Sequence, residues 1–278
     1  MYLVVRPRWD DATIYSYRFC QRIVDELKKR GKDFVDLGVE KATRPLVEEN
    51  LPDADFFIFF DHGDKNGLVE QGGEGYVIDY RNVHMLRGKE VYTLACEWGA
   101  GNGAEAYRKG AVAVWCYVDV VGFTPDQEKA WEEMFTIGML ARLEGKSWRE
   151  CKEIAVKTFD KWIQKFTEMN DPWSAMWARH NRDILRCYAP GVDEPEAPKC
   201  PLRRFAVRVF GPLFYRVRRR FAVWALVMGV GWGLTAHDLW VEICNPPSNP
   251  YRVHGGYIGL ALIVIGYVLT LREFGQLE

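Results

Sequence analysis

Two textures alternate along residues 1–190. Short, unbroken apolar runs occupy residues 3–5, 34–37, 54–60, 91–95 and 111–118, and each reads as a buried β-strand. Between and after them, apolar positions recur at helical spacing over residues 12–30, 103–109, 126–144, 147–168 and 172–187. In the first of these stretches the apolar set is Ile14, Tyr17, Ile23, Val24 and Leu27, and Gly31 supplies the stop. Strands that lack polar alternation are covered on both faces, and strands separated by helices pair in parallel. The pattern therefore predicts an α/β fold, a mostly parallel sheet flanked by helices. No internal repeat or low-complexity tract interrupts it.

The texture changes after residue 188. Pro190, Pro195, Pro198 and Pro201 mark a linker over residues 189–202. Residues 203–220 then carry seven arginines (Arg203, Arg204, Arg208, Arg216, Arg218, Arg219 and Arg220) and no acid. Two uncharged runs follow, residues 221–236 and 255–271, the first extending past His237 and Asp238 to Val241. The turn sequence Cys244-Asn-Pro-Pro-Ser-Asn-Pro250 separates them. A bilayer crossing takes about 17–25 apolar residues. The pair predicts a two-helix transmembrane hairpin over residues 221–271, with Trp240, Tyr251 and Tyr257 as interfacial aromatics and residues 272–278 as a tail. Arginines precede the first run and Arg272 follows the second, while the connection holds only Arg252. That bias places the body, residues 1–188, on the cytoplasmic side. The same arginines, interleaved with Phe205, Phe210, Phe214 and Tyr215, suit anionic membrane lipid better than nucleic acid. A buried helical pair in a soluble core is the alternative reading of the two runs.

Composition refines this picture. The 278 residues sum to a net charge of −1 only because opposite regions cancel: residues 1–202 carry −6 and residues 203–220 carry +7. With 48% hydrophobic and 27% charged residues the chain is neither collagen-like, coiled-coil nor wholly disordered. Its seven cysteines are scattered, with no Cys-x-x-Cys pair, which predicts neither a disulfide framework nor a thiolate zinc site. The apolar stretch Tyr2-Leu3-Val4-Val5 before Arg6 is too short for the core of a signal peptide, so the body is expected in a reducing cytosol.

In open α/β sheets, sites gather at the carboxyl ends of strands. Two predicted strand ends are chemically loaded: Asp61-His62-Gly63 follows the third strand and Cys96-Glu97-Trp98-Gly99 the fourth. A thiolate is the reactive form of cysteine, and a nearby imidazole can take its proton and later hand it to a leaving amine. Gly63 lets the backbone approach a substrate carbonyl, and its N–H with that of Cys96 suits an oxyanion. Asp61, Glu97, Trp98 and Asp119 are the candidate pocket residues beside this pair.

Phe57-Ile-Phe-Phe-Asp-His-Gly63 and Val91-Tyr-Thr-Leu-Ala-Cys-Glu-Trp-Gly99 resemble the two signatures of the caspase-fold cysteine peptidases, the clan of caspases, legumains, clostripain, gingipains and the lipid-anchor transamidase subunit. The pattern is an apolar strand ending in His-Gly, then one ending in Ala-Cys or Gln-Cys, and the forms here look most like the legumain branch. The resemblance, which covers about residues 1–145, implies a His62–Cys96 dyad with the N–H groups of Gly63 and Cys96 as oxyanion donors. It implies no cofactor and no catalytic metal, and a peptide or protein as substrate. Gly110-Ala-Val-Ala-Val114 resembles the clan's next strand, whose following loop helps wall the pocket for the residue before the scissile bond (P1). Two positions depart from the legumain form: Leu94 stands where legumains have an acid and Trp98 where they have serine. Both bear on that pocket, so a preference for asparagine is not carried over.

Three other readings compete. A histidine at a strand end and a cysteine behind an apolar strand are commonly structural, which would leave a membrane-tethered caspase-fold adaptor without activity. Gly99, Gly101 and Ala104 satisfy a Gly-x-Gly-x-x-Ala pattern, with Asp119 near a ribose-binding position, as in a dinucleotide-binding oxidoreductase. Against that, the motif follows the fourth strand rather than the first and the helix after it is short. His237, Glu242, Cys244 and His254 fit no known metal-ligand spacing, and the chain shows no recognisable calcium site. The expectation is therefore a membrane-anchored cysteine endopeptidase.

Overall fold

The computed structural model describes Met1–Glu196. The elements run β1 (Tyr2–Arg6), α1 (Asp11–Lys29), β2 (Phe34–Gly38), α2 (Arg44–Asn50), β3 (Phe56–Phe60), β4 (Gly67–Val69), β5 (Tyr76–Asp79), β6 (Glu90–Leu94), α3 (Asn102–Arg108), β7 (Ala113–Tyr117), α4 (Glu128–Leu143), α5 (Trp148–Glu168), α6 (Pro172–Ile184) and β8 (Leu185–Tyr188). One sheet holds six strands in the order β2-β1-β3-β6-β7-β8. Five are parallel, and β8 closes the far edge antiparallel to β7. A small antiparallel hairpin, β4–β5, stands apart from it. The expected α/β architecture with a mostly parallel sheet is thus present.

The apolar runs become central strands because both faces are covered. All five residues of β3 and of β7 are buried. On one face, α1, α4, α5 and α6 pack over Phe56, Ile58, Phe60, Tyr92, Trp115 and Tyr117. On the other, α2 and α3 contribute Val47, Ala104 and Ala106 against Leu3, Phe57, Phe59 and Val114. The first face is built largely of aromatic rings. Phe135 of α4 lies 5.7 Å from Phe19, 5.8 Å from Trp131, and 6.3 Å from both Tyr117 and Phe159, measured between ring centroids.

Helix ends follow local chemistry. Asp10 caps α1 by accepting from the Thr13 N–H, and the Thr13 hydroxyl returns a bond to the cap. Ser147 and Glu150 form the same reciprocal box on α5, and Asp171 with Pro172 opens α6. Arg6 is almost fully buried at the end of β1. It forks onto Asp36 of β2 at 2.8 and 2.5 Å and reaches Gln21 of α1 at 2.7 Å, tying three elements together.

The structure differs from the pattern-based expectation in three places. The helix predicted to run to residue 187 stops at Ile184, and the chain turns into β8, because the open edge of β7 offers a ladder that helix propensity does not outweigh. Helix α2 and the β4–β5 hairpin were not predicted; α2 buries only Val47, and β4 spans three residues, so neither leaves a periodic signal. Residues 189–196, expected as linker, are partly held to the body: Ala189 is buried and Asp193 pairs with Lys152 at 2.5 Å. The rest of the linker, the arginine segment and the expected transmembrane hairpin lie outside the described residues, among which no helix is long and apolar enough to cross a membrane.

Because Phe135 packs among five other aromatic rings, those of Phe19, Tyr117, Phe123, Trp131 and Phe159, Phe135→Ala is expected to lower the unfolding free energy by about 3–5 kcal/mol. Urea denaturation of the variant measures this, and a loss below about 1 kcal/mol would show that the ring is not a core element.

Candidate active site

The two loaded strand ends are neighbours. β3 and β6 pair in parallel from Phe56 with Glu90 to Phe60 with Leu94, every pair separated by 34 positions. The Asp61 N–H donates to the Leu94 carbonyl at 3.1 Å, carrying the ladder one step beyond the strands. His62 and Cys96 share the same offset of 34, so they leave the sheet at the same level. On its other side β3 pairs with β1, whose next connection leads outward to β2. The strand order therefore reverses beside β3, and the carboxyl end of such a switch opens a crevice. Trp9 and Asp10, on the turn between β1 and α1, stand in it.

Asp10 meets His62 there. The Asp10 Oδ2 lies 2.8 Å from the His62 Nε2. Burial works to raise the Asp10 carboxyl, but the Thr13 N–H and the bond to His62 outweigh it and hold the group below its ordinary value. Asp10 is thus an anion that only accepts, and a bond of this length puts a proton on Nε2. In the neutral ring, Nδ1 is left as the free lone pair. The Trp9 indole packs edge-on against the imidazole at 5.5 Å and fixes its plane.

Cys96 is the one cysteine among the described residues that is not fully buried. Its Sγ accepts from the Val121 N–H at 3.3 Å. Burial pushes the thiol up, the Val121 N–H works against this, and Glu97 and Asp119 add repulsion. The net upward direction favours the neutral thiol. Directly after it Glu97 adopts a left-handed backbone, φ +52°, and its N–H donates to the Asp119 carbonyl at 3.0 Å, so the chain turns sharply away from the sheet. Gly63 lies against this turn: a Cβ there would stand 2.9 Å from the Ala95 Cβ, and only glycine fits. Neither the Gly63 N–H nor the Cys96 N–H donates a main-chain hydrogen bond among the described residues.

A cleft of about 80 Å³ is lined by Asp61, His62 and Cys96 together. Ala12, Thr13 and Ser16 of α1 form one wall; Leu94, Val121 and Phe123 form the other. Asp61 is only 5% exposed. Its Oδ2 accepts from the Trp9 indole N–H at 3.3 Å, and its Oδ1 has no partner. Burial pushes this carboxyl up to about 7, against the opposing pull of His62 and of Trp9. A larger open groove of about 450 Å³ between α1 and α4 is lined by charged chains such as Arg18, Arg22, Glu128 and Glu132, with no cysteine or histidine among them.

Of the four pocket residues expected from the sequence, Asp61 alone lines the cleft. Trp98 is fully buried in the core of the opposite face. Glu97 points to Lys65, 3.0 Å away, and the exposed Asp119 carboxylate accepts from the neighbouring Val120 N–H. Gly99, Gly101 and Ala104 are packing residues rather than a phosphate cradle. A Cβ on Gly99 would meet the Cys116 Sγ at 2.7 Å, and one on Gly101 would run into the Lys65 carbonyl. That carbonyl also accepts the Asn102 N–H, so this N–H at the start of α3 is already paired within the protein. The sequence reasoning missed Asp10, Trp9 and the Val121 N–H. Asp10 was visible only as a helix cap, and nothing in one dimension tied it to His62, 52 positions away. No family model, no curated protein and no solved structure matches this chain.

The Asp61 carboxyl yields a pH prediction. Folding raises it from 3.8 to about 7, so between those values the folded chain keeps a proton that the unfolded chain has released. Stability attributable to this group therefore falls as pH rises from about 4 to about 7, and the full penalty stands above 7. Asp61→Asn is expected to melt higher than wild type at about pH 8, with the gap closing toward about pH 5. Thermal melts across that range check it; a gap that does not change with pH would contradict it.

Proposed function

We propose that this chain is a cysteine endopeptidase of the caspase-fold type, with His62 and Cys96 as its catalytic pair. The observation that carries the reading is the shared β3–β6 register, which delivers an imidazole and a thiol to one cleft. The two motifs that resemble the clan's signatures end on these two strands, and the Gly63 and Cys96 N–H groups, neither of which donates to a main-chain carbonyl among the described residues, belong to the same turns.

The chemistry runs as follows. The His62 Nδ1 takes the proton of the Cys96 thiol as the sulfur attacks the scissile carbonyl carbon. The carbonyl π electrons move onto oxygen, and the oxyanion is held by the Gly63 and Cys96 N–H groups. Collapse breaks the C–N bond. The amine leaves with the proton from the imidazolium, and a thioester remains on Cys96. Water, deprotonated by His62, attacks the thioester, releases the carboxylic acid and returns the thiol. Throughout, Asp10 holds the ring through Nε2 and compensates its transient positive charge. The raised thiol fits a mechanism in which attack and proton transfer are coupled, with no standing thiolate.

The arginine segment and the two apolar runs of residues 203–271 add a membrane tether to this reading, with the peptidase body on the cytoplasmic side and peptide or protein substrates at the membrane. Full-length protein is expected to stay in the membrane pellet through an alkaline carbonate wash and to leave it only with detergent. Recovery in the carbonate supernatant would remove the tether from the proposal.

Purified full-length protein in detergent is expected to cleave a peptide library and to be labelled by a peptidyl acyloxymethyl ketone, and Cys96→Ala to do neither. Unchanged cleavage in Cys96→Ala would overturn the assignment, and no labelling or cleavage in wild type would favour the inactive adaptor. Asp10→Ser separates the two duties of Asp10, because serine still caps α1 but is too short to reach the imidazole. It is expected to melt within a few degrees of wild type while kcat falls about 10²-fold with little change in KM.

A further inference from the structure

The sulfur of Cys96 occupies a place that main chain would otherwise fill. β6 and β7 pair in parallel from Glu90 with Ala113 to Tyr92 with Trp115, every pair separated by 23 positions. Glu97 keeps this offset, since its N–H donates to the Asp119 carbonyl at 3.0 Å. A regular parallel ladder would next bring the Val121 N–H to the Glu97 carbonyl. The left-handed turn at Glu97 swings that carbonyl away, where it accepts the Ala100 N–H at 2.9 Å. The Val121 N–H is left to the Cys96 Sγ, 3.3 Å away, and the Val121 carbonyl faces the same sulfur at 3.9 Å.

Residues 120–124 lie beyond β7, and α6 holds them. The His180 ring N–H donates to the Val120 carbonyl at 2.9 Å, and the Thr124 and Ser174 hydroxyls are 2.6 Å apart. Between these, the Asn181 carboxamide takes both main-chain groups of Gly122. Its Oδ1 accepts the N–H at 3.2 Å and its Nδ2 donates to the carbonyl at 2.6 Å. Val121 thus turns its polar groups to Cys96 and Gly122 turns its own to Asn181, as successive residues of a strand do. Asn181 is fully buried, and a buried carboxamide bonded at both ends holds one geometry. A Cβ on Gly122 would run into the Trp177 ring. The cleft is lined by Val121 and Phe123 of this loop and by no residue of α6.

We propose that Asn181 is a positioning residue for Cys96: by fixing Gly122 it keeps the Val121 N–H on the sulfur, where it stabilises the negative charge that develops as the thiol gives up its proton. This role deepens the peptidase reading and rests on it only for the use made of that charge, because the acidity of the thiol is measurable without any cleavage. A donor to the charged form favours that form, so loosening the loop makes the thiol a weaker acid. The other charged or titratable groups that face the sulfur are His62 and Asp61 in the cleft and Glu97 and Asp119 beside it. All four remain in place when Asn181 is changed.

Alkylation of full-length protein in detergent by iodoacetamide tests this, because the thiolate is the form that reacts. The rate is followed from about pH 6 to about pH 11 on the tryptic peptide 90–108, whose one cysteine is Cys96. Asn181→Leu keeps the bulk of the side chain and removes both bonds. Gly122→Ala displaces the loop from within, against Trp177. Val24→Ala, a buried position of α1 beyond the residues that line the cleft, controls for lost stability. In the first two variants the midpoint of alkylation is expected about one pH unit above wild type, an about tenfold lower rate below the midpoint, with a plateau within about threefold. In Val24→Ala the midpoint is expected to stay where it is. In wild type the NMR signal of the Val121 amide proton is expected to move with the same midpoint, and in Cys96→Ala to stop responding.

An unmoved midpoint in either folded loop variant, an equal shift in Val24→Ala, or a Val121 amide that ignores the titration overturns the role of Asn181. The last of these requires no loop variant to fold. Where peptides are cleaved in a Cys96-dependent way, Asn181→Leu is expected to lower kcat with KM little changed. Such cleavage without the midpoint shift leaves the peptidase reading and removes the positioning role. The shift without any cleavage leaves the positioning role and removes the peptidase reading.

Discussion

Five main-chain pairs between Phe56–Phe60 and Glu90–Leu94 set the geometry on which the site depends. Parallel strands that pair without a bulge carry their offset into the residues that follow, because each ladder bond fixes the height of both chains. Asp61 extends the ladder by one bond, and the next residue on each chain is free to turn. The constraint propagates outward: the strands stay in register because Phe57, Phe59, Val91 and Tyr92 are buried between helical layers that leave no room for a slip. A shift of one residue would turn every ring of β3 to the opposite face.

Around that pair the electrostatics are divided among three acids with separate duties. Asp10 is held ionised by a helix N-terminus and serves the imidazole. Asp61, buried after the neighbouring strand β3, is pushed the other way, toward its neutral form. Glu97 is drawn off to Lys65 at the rim. Cys96, between apolar walls, has its thiol pushed up by burial. Environment, not residue type, separates the two aspartates: one has N–H donors and is held down, the other is buried with few and is pushed up.

Much of this was legible in one dimension, and the reason differs from element to element. Strand β3, Phe-Phe-Ile-Phe-Phe, declares itself because no other use of five consecutive large apolar residues between turns is favourable. Helices α1 and α5 combine apolar periodicity with capping residues. The spacing of His62 from Cys96 was informative because it equals a register. By contrast, β8 was read as the end of a helix, since its pairing energy comes from the edge of β7, a segment about 70 positions earlier. Trp98 was read as a pocket residue from its place in the motif, yet the left-handed turn at Glu97 aims it into the core.

The amino-acid sequence by itself determined the alternation of buried strands and amphipathic helices, the parallel sheet that follows from it, and the placing of His62 and Cys96 just after two strands that neighbour each other in the sheet. These are local properties: periodicity, capping and residue type need no distant partner. Only the tertiary structure decided that Asp10 would meet His62, that Asp61 would be enclosed with an oxygen unpaired, and that Gly99 and Gly101 would be packed against protein. Each of those outcomes depends on which surfaces a folded chain brings within a few ångströms of one another, and burial and hydrogen bonding act at that range alone.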